Sequence, residues 1–189
     1  MLNIKKVDEN IITDRLIIRF AKPNDAEAIY SYRSDVIVNQ YQGWFPESAE
    51  EVRDYIKNMP TTFDVANVCL QFAIIKKDEN LLIGDMGIIF SNHNNMQAEI
   101  GCTLHKDLQG KGYATEALRA MINIFFLTLN KHRVIASIDP RNTASIRLIE
   151  RLGFRKEGHF KESYFLRGEW VDDVIYAILR KEWVDNTNI

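Results

Sequence analysis

The stretch "LHKDLQGKGYATEAL", residues 104–118, sets a lysine between two glycines where a strand-like run gives way to a helix-like one. Glycine at such a junction lets backbone N–H groups approach an oxyanion, and a helix start concentrates unpaired donors and partial positive charge. The stretch has the chemistry of a phosphate cradle; a tight strand-to-helix turn holding nothing is the plain alternative. Two familiar cradles fail on spacing. A Walker A loop needs glycine five positions before the Gly-Lys pair, where His105 stands, and serine or threonine after the lysine, where Gly112 stands. A dinucleotide fingerprint needs a third glycine three residues after Gly112, where Thr115 stands. What remains is Gln109-x-x-Gly112-x-Ala114 behind the strand-like "EIGCTL". Other side chains with chemistry to offer are Glu99 in that strand, and Asn142 and Ser145 at the start of "NTASIRLIERL", both ordinary capping types. Trp44 and Phe45 lie in a polar loop, either as walls of an acceptor groove or as a small lid over the core. His93, His105, His132 and His159 have no metal-ligand spacing, and Cys69 and Cys102 no CxxC spacing, so no metal is expected.

These residues need elements to hold them. "TDRLIIRFA" reads as a first strand at about 13–20, ended by Pro23, and "PNDAEAIYSYRSD" as a helix that Asn24 can cap. A loop around Gly43 to Pro46 leads to a second short helix, with Ser48 or Pro46 near its start. "VCLQFAIIKK", "LLIGDMGIIF" and "MQAEIGCTL" are strands joined by the hairpin turns "KDEN" and "SNHNN", an antiparallel meander. In the last of them alternation places Gln97, Glu99 and Thr103 on one face and Ala98, Ile100, Cys102 and Leu104 on the other. After Gly112 the apolar positions fall at steps of three and four as far as Leu129, the stripe of a helix packed on a sheet. "HRVIASID" is a strand, and "NTASIRLIERL" a helix that Asn142 can cap and Gly153 can end. "FRKEGHF" and "DDVIYAILRKEW" are the last strands, linked by "SYFLRGEW". The order β-α-α-β-β-β-α-β-α-β-β predicts an α+β fold with a mixed, mostly antiparallel, twisted sheet flanked by helices. With 189 residues and no linker or repeat, the expectation is a single domain over 1–189.

Through Gln109, Gly110, Lys111, Gly112, Tyr113 and Ala114 the sequence resembles the GNAT superfamily of acyl-CoA-dependent N-acetyltransferases. The element order and "NTASIRLIERLGF" resemble its RimJ/RimL-type branch, which includes ribosomal-protein N-terminal acetyltransferases. The resemblance covers nearly the whole chain, from "TDRLIIRFAKPNDAEAI" to "DVIYAILRKEW". It implies a GNAT fold and acetyl-CoA as co-substrate, with the N–H groups from Gln109 to Thr115 holding the pyrophosphate and Lys111 either adding charge or lying solvated. It implies that Cys102, Thr103 and Leu104 offer a splayed strand edge to the pantetheine amides and acetyl carbonyl, and that Asn142 faces the pantetheine arm. Many members carry a proton-donating tyrosine seven residues after that asparagine; here the position is Ile149, which cannot donate. Ser145, one helical turn from Asn142, is then the candidate donor to the leaving thiolate, with Tyr113 and Tyr164 as fallbacks. Glu99 is aimed next to the thioester, either to relay the amine's proton through water or as a structural carboxylate within the sheet.

The expected reaction is direct attack of a primary amine on acetyl-CoA, without an acyl-enzyme. The acceptor is a protein or peptide α-amino group, with a small metabolite or antibiotic amine as the alternative. A catalytically silent acyl-CoA-binding domain of the same fold, and a nucleotide-binding module using the same glycines, are the rival classes. Lysine and arginine number 24 against 26 acidic residues, a net charge of −2, so nucleic acid is not an expected partner. Neither a signal peptide nor a membrane helix is legible, and the two cysteines sit in apolar runs, which together predict a cytoplasmic enzyme. A homodimer is among the assemblies the sequence allows.

Overall fold

A computed structural model of the chain describes residues 10–63, 65–91 and 95–187. The elements are β1 (Ile11–Ile12), β2 (Leu16–Phe20), α1 (Ala26–Arg33), α2 (Ala49–Lys57), β3 (Cys69–Lys76), β4 (Leu81–Ser91) and β5 (Gln97–Leu104). They are followed by α3 (Tyr113–Asn123), β6 (Arg133–Ile138), α4 (Thr143–Arg151), β7 (Arg155–Leu166), β8 (Glu169–Leu179) and α5 (Arg180–Thr187). One eight-stranded sheet runs β1-β2-β3-β4-β5-β6-β8-β7. It is antiparallel everywhere except between β5 and β6, whose parallel pairing spans Gln97↔Arg133, Ala98↔Val134 and Glu99↔Ile135. Beyond Glu99, β5 stays paired with β4 as far as Leu104 but has parted from β6.

Local chemistry explains most boundaries. Thr13 closes a tight turn, its Oγ1 accepting from Leu16 N at 2.9 Å, so the strand expected at 13–20 begins only at Leu16 as β2 and is preceded by the short β1 at Ile11–Ile12. Asn24 is not a cap. It lies within the 3-10 turn Pro23–Asp25, where the Asp25 carboxylate accepts from Lys22 N at 2.7 Å and from Arg19. Ser48 does cap α2, accepting from Glu51 N at 3.1 Å. The stripe after Gly112 continues past α3 through a π turn, Ile124–Thr128, and buries Ala117, Met121, Phe125 and Phe126 against the sheet. A smaller cluster, including Ile29, Tyr32, Val52 and Ile56, holds α1 against α2.

Two expectations at the C-terminal end are corrected. "SYFLRGEW" is not a loop but the tip of a long β7–β8 hairpin, turning at Arg167 (φ +51) and Gly168 (φ +88). Positive φ at both central residues is what a two-residue hairpin turn of matching twist requires. "RKEW" leaves the sheet as α5, whose Trp183 Nε1 donates to Asn123 Oδ1 at 2.8 Å. The "SNHNN" turn lies partly, and His93 wholly, outside the described residues.

Candidate active site

Where β5 and β6 part, a pocket of about 400 Å³ crosses the sheet. On one side it is lined by the α1–α2 loop (Gly43, Trp44) and by Glu99 and Asp173; on the other by Asn142, Ser145 and Ile149 of α4. The splayed edge expected at Cys102, Thr103 and Leu104 exists as backbone geometry. Cys102 lines the pocket, whereas Thr103 and Leu104 are buried behind it, with Thr103 Oγ1 unpartnered among the described residues. A strand edge without a neighbour presents backbone donors and acceptors to whatever lies beside it. Both thiols are held protonated: burial pushes Cys102 up to about 12 and raises Cys69 as well.

The glycine loop sits at the entrance to α3. Gly110 has φ +72 and Gly112, the residue just before the helix, φ +83, so both hold the left-handed backbone that glycine tolerates best. A side chain at Gly110 would meet nothing, which leaves the concave face of the loop open. The Gln109 amide donates back to Leu104 O at 3.0 Å, pinning the loop to the end of β5. Tyr113 is buried beneath Arg15 (4.4 Å from guanidinium carbon to ring centroid), Ala114 and Thr115 are half-buried in the first turn, and the Lys111 side chain is exposed.

An anchor invisible in the sequence fixes this loop from the turn between β1 and β2. Glu116 in the first turn of α3 accepts from Thr13 Oγ1 (2.5 Å), Arg15 N (2.9 Å) and Arg15 Nε (2.7 Å), while Arg15 Nη1 donates to Lys111 O at 3.1 Å. Burial alone would raise the Glu116 carboxyl, but these donors win and hold it below its ordinary value. The loop backbone, open on its outer face, is thus braced from behind.

On the acceptor side Glu99 is half-buried and its carboxylate makes no hydrogen bond among the described residues. Burial, and then the Asp173 carboxylate, raise its pKa above the ordinary value. Asp173 is itself held by Ser137 Oγ at 2.9 Å. Trp44 lines the pocket and stacks near Tyr55, with ring centroids 4.5 Å apart; Phe45 instead faces outward under Arg167, 4.7 Å from its guanidinium carbon. Arg167 Nη2 donates to Asn39 O at 2.7 Å and clamps the β7–β8 tip onto the α1–α2 loop. Deeper in, Arg33 and Asp85 form a buried ion pair that sequence reading missed.

On the α4 side Asn142 caps its helix, Oδ1 accepting from Ser145 N at 3.1 Å, while Nδ2 has no partner among the described residues and lines the pocket. Capping and ligand contact are therefore compatible in one side chain. The Ser145 hydroxyl likewise has no partner among the described residues. Ile149 is buried and closes the pocket wall with an apolar surface. Of the two fallback tyrosines, Tyr164 lines the pocket and Tyr113 does not.

Residues 15–155 match the family described as Acetyltransferase (GNAT) domain. The N-acetyltransferase YnaD of Bacillus subtilis (strain 168), itself uncharacterized, is 36% identical over 92% of this chain and 99% of its own length. The ribosomal protein uS5-alanine N-acetyltransferase of Escherichia coli (strain K12) is 31% identical over 96% of this chain and 95% of its own. A GNAT-family acetyltransferase from Bacillus anthracis superposes with a TM-score of 0.82 at 32% identity, covering 92% of this chain and all of that one.

Proposed function

The chain belongs to the acetyltransferase (GNAT) family and is an acetyl-CoA-dependent N-acetyltransferase, and from that premise we propose that its acceptor is the α-amino group of a protein or peptide, acetylated by direct attack. The observation that carries this reading is a single pocket, crossing the sheet between β5 and β6, that holds two proton-handling groups without a partner among the described residues: the Glu99 carboxylate and the Ser145 hydroxyl. Acetyl-CoA supplies the activated carbonyl. The residues that suit its binding are the loop N–H groups from Gln109 to Thr115, the open edge at Cys102, Thr103 and Leu104, and Asn142 Nδ2. The amine nitrogen attacks the thioester carbonyl and the C–S bond breaks to leave the amide and CoA; Glu99 takes the proton of the incoming amine, directly or through water, and Ser145 Oγ gives a proton to the departing thiolate and regains one from water. Cys102 and Cys69 stay out of the chemistry, because a thiol kept protonated is a poor nucleophile. Alignment of the two reactants supplies most of the acceleration, on the order of 7–11 kcal/mol in well-oriented sites.

The acceptor class follows from proton chemistry. Near pH 7.5 about a third of α-amines are neutral but only about 0.1% of lysine amines, so lysine asks for a far stronger base than one half-buried carboxylate. The uS5-alanine N-acetyltransferase of Escherichia coli, by its name an enzyme of protein N-termini, supports the same choice. A second reading, a small polycationic amine, draws on the Glu99 and Asp173 carboxylates sharing one wall. CoA release measured over peptides with free or blocked N-termini, lysine analogues and small amines separates the two. Turnover confined to free α-amines supports the proposal, and turnover confined to blocked lysine peptides or small polyamines overturns it.

A further inference from the structure

Arg33 has one edge that no acceptor among the described residues uses. Asp85 on β4 is fully buried and accepts from Tyr32 Oη (2.6 Å), Arg33 Nε (3.0 Å), Arg33 Nη2 (2.5 Å) and the Gln71 amide. Arg33, 6% exposed, therefore has Nε and Nη2 engaged, while Nη1 finds no acceptor among the described residues. The guanidinium lines the pocket, 5.0 Å from the Trp44 ring centroid. A guanidinium edge that has no protein acceptor and lies at a cavity wall is open to a ligand that supplies one. Guanidinium N–H groups only donate; they pair with oxygen and repel an ammonium.

The same pocket carries the Glu99 and Asp173 carboxylates, which suit an amine. An acceptor that satisfies both walls needs an amine for the carboxylates and an oxygen for the guanidinium. We infer that Arg33 is a specificity-determining residue that donates through Nη1 to the carbonyl oxygen neighbouring the acceptor amine, and so selects α-amino carbonyl compounds over plain alkyl amines. This rests on the α-amine reading above and adds the group that recognises it. Asp85 is then the positioning residue, because its two bonds to Nε and Nη2 fix the plane of the fork and leave Nη1 facing outward.

The test compares kcat/KM for a peptide with a free N-terminal alanine against sec-butylamine, which keeps the amine and lacks the carbonyl. With both rates referred to the neutral amine, the peptide is expected to be favoured by about tenfold or more in the wild type, the discrimination a hydrogen bond from a charged donor gives against an analogue without its acceptor. Arg33→Lys keeps a cation beside Asp85 but loses the planar edge, and should reduce that ratio by about tenfold. The pair Arg33→Met with Asp85→Asn removes both charges together, so no lone ion is buried and folding is protected; it should reduce the ratio as far. Melting temperature and its rise with acetyl-CoA establish that each variant is folded. A folded variant whose ratio equals that of the wild type overturns the role of Arg33, as does a wild type that discriminates less than about threefold. A wild type that acetylates sec-butylamine and no α-amine peptide overturns instead the α-amine reading on which the inference stands.

Discussion

The roles proposed for Ser145 and Glu99 rest on what the two side chains do not touch. Each has a polar group without a hydrogen bond among the described residues, in a pocket where most other polar groups are engaged. Ser145→Ala should lower kcat by about tenfold to a hundredfold while changing the acetyl-CoA concentration that half-saturates the melting shift by less than threefold, since a proton delivered as the bond breaks acts on turnover and not on binding. Equal losses in turnover and binding would reduce the serine to a structural role. Because burial and then Asp173 raise the Glu99 pKa, the acid limb of kcat/KM should lie above the ordinary carboxylate range. Asp173→Asn removes the neighbouring charge and should move that limb to lower pH; a limb that stays in place would mean that another group titrates. The same shift bears on stability. A carboxyl whose folded pKa exceeds its unfolded one helps the fold fully below the unfolded value, and that help is lost as pH rises through the folded value. Glu99→Gln should accordingly melt higher than the wild type at neutral pH, the difference vanishing below about pH 4, where both states of the wild type are protonated. Glu99 was a candidate through strand alternation and Ser145 through the family resemblance. Arg15, Arg33 and Asp85 were not, because Arg33 at helical spacing reads as a solvated charge and its partner lies 52 residues away, as Arg15's lies 101.

The elements that hold the site were legible wherever one face is dry. The limits of β3 to β5 and α4 agree with expectation to within a residue or two, while the stripe expected to run to Leu129 is divided between α3, which ends at Asn123, and the π turn after it. The second half of β7, read as part of a link, escaped because nearly every residue along it is exposed, so no alternation marks it. α5 escaped because "DDVIYAILRKEW" runs on without a breaker, and only the packing of Trp183 onto α3 shows where strand ends and helix begins. The loop before α3 makes the element-scale prediction. At φ +83, Gly112→Ala should cost about 1 kcal/mol in backbone strain. Gly112→Asp adds a negative charge on the face proposed for the pyrophosphate and should abolish the rise in melting temperature that acetyl-CoA gives to the alanine variant and the wild type. A folded Gly112→Asp protein with the full rise would place the phosphates elsewhere.

At the scale of the whole molecule, the sheet is two antiparallel blocks, β1 to β5 and β6 to β8, joined by three residue pairs of parallel ladder. Everything beyond that short seam is held by side chains: the α1–α2 loop and β7–β8 tip through Arg167 and Asn39 on one face, α3 and α4 through the core on the other. A seam left half open is a place where a guest chain can finish the work of a strand. The amides of residues 100–104 that face away from β4 are expected to exchange with deuterium far faster than those of 97–99 in the unliganded enzyme. Saturating acetyl-CoA should slow the first set and leave the second nearly unchanged, and equal uptake at 100–104 with and without it would deny the pantetheine that edge. If the slowing is found, the co-substrate is also a temporary ninth member of the sheet. The stiffness of the enzyme between its two blocks would then rise and fall with each turnover, loosest in the interval when no thioester is bound.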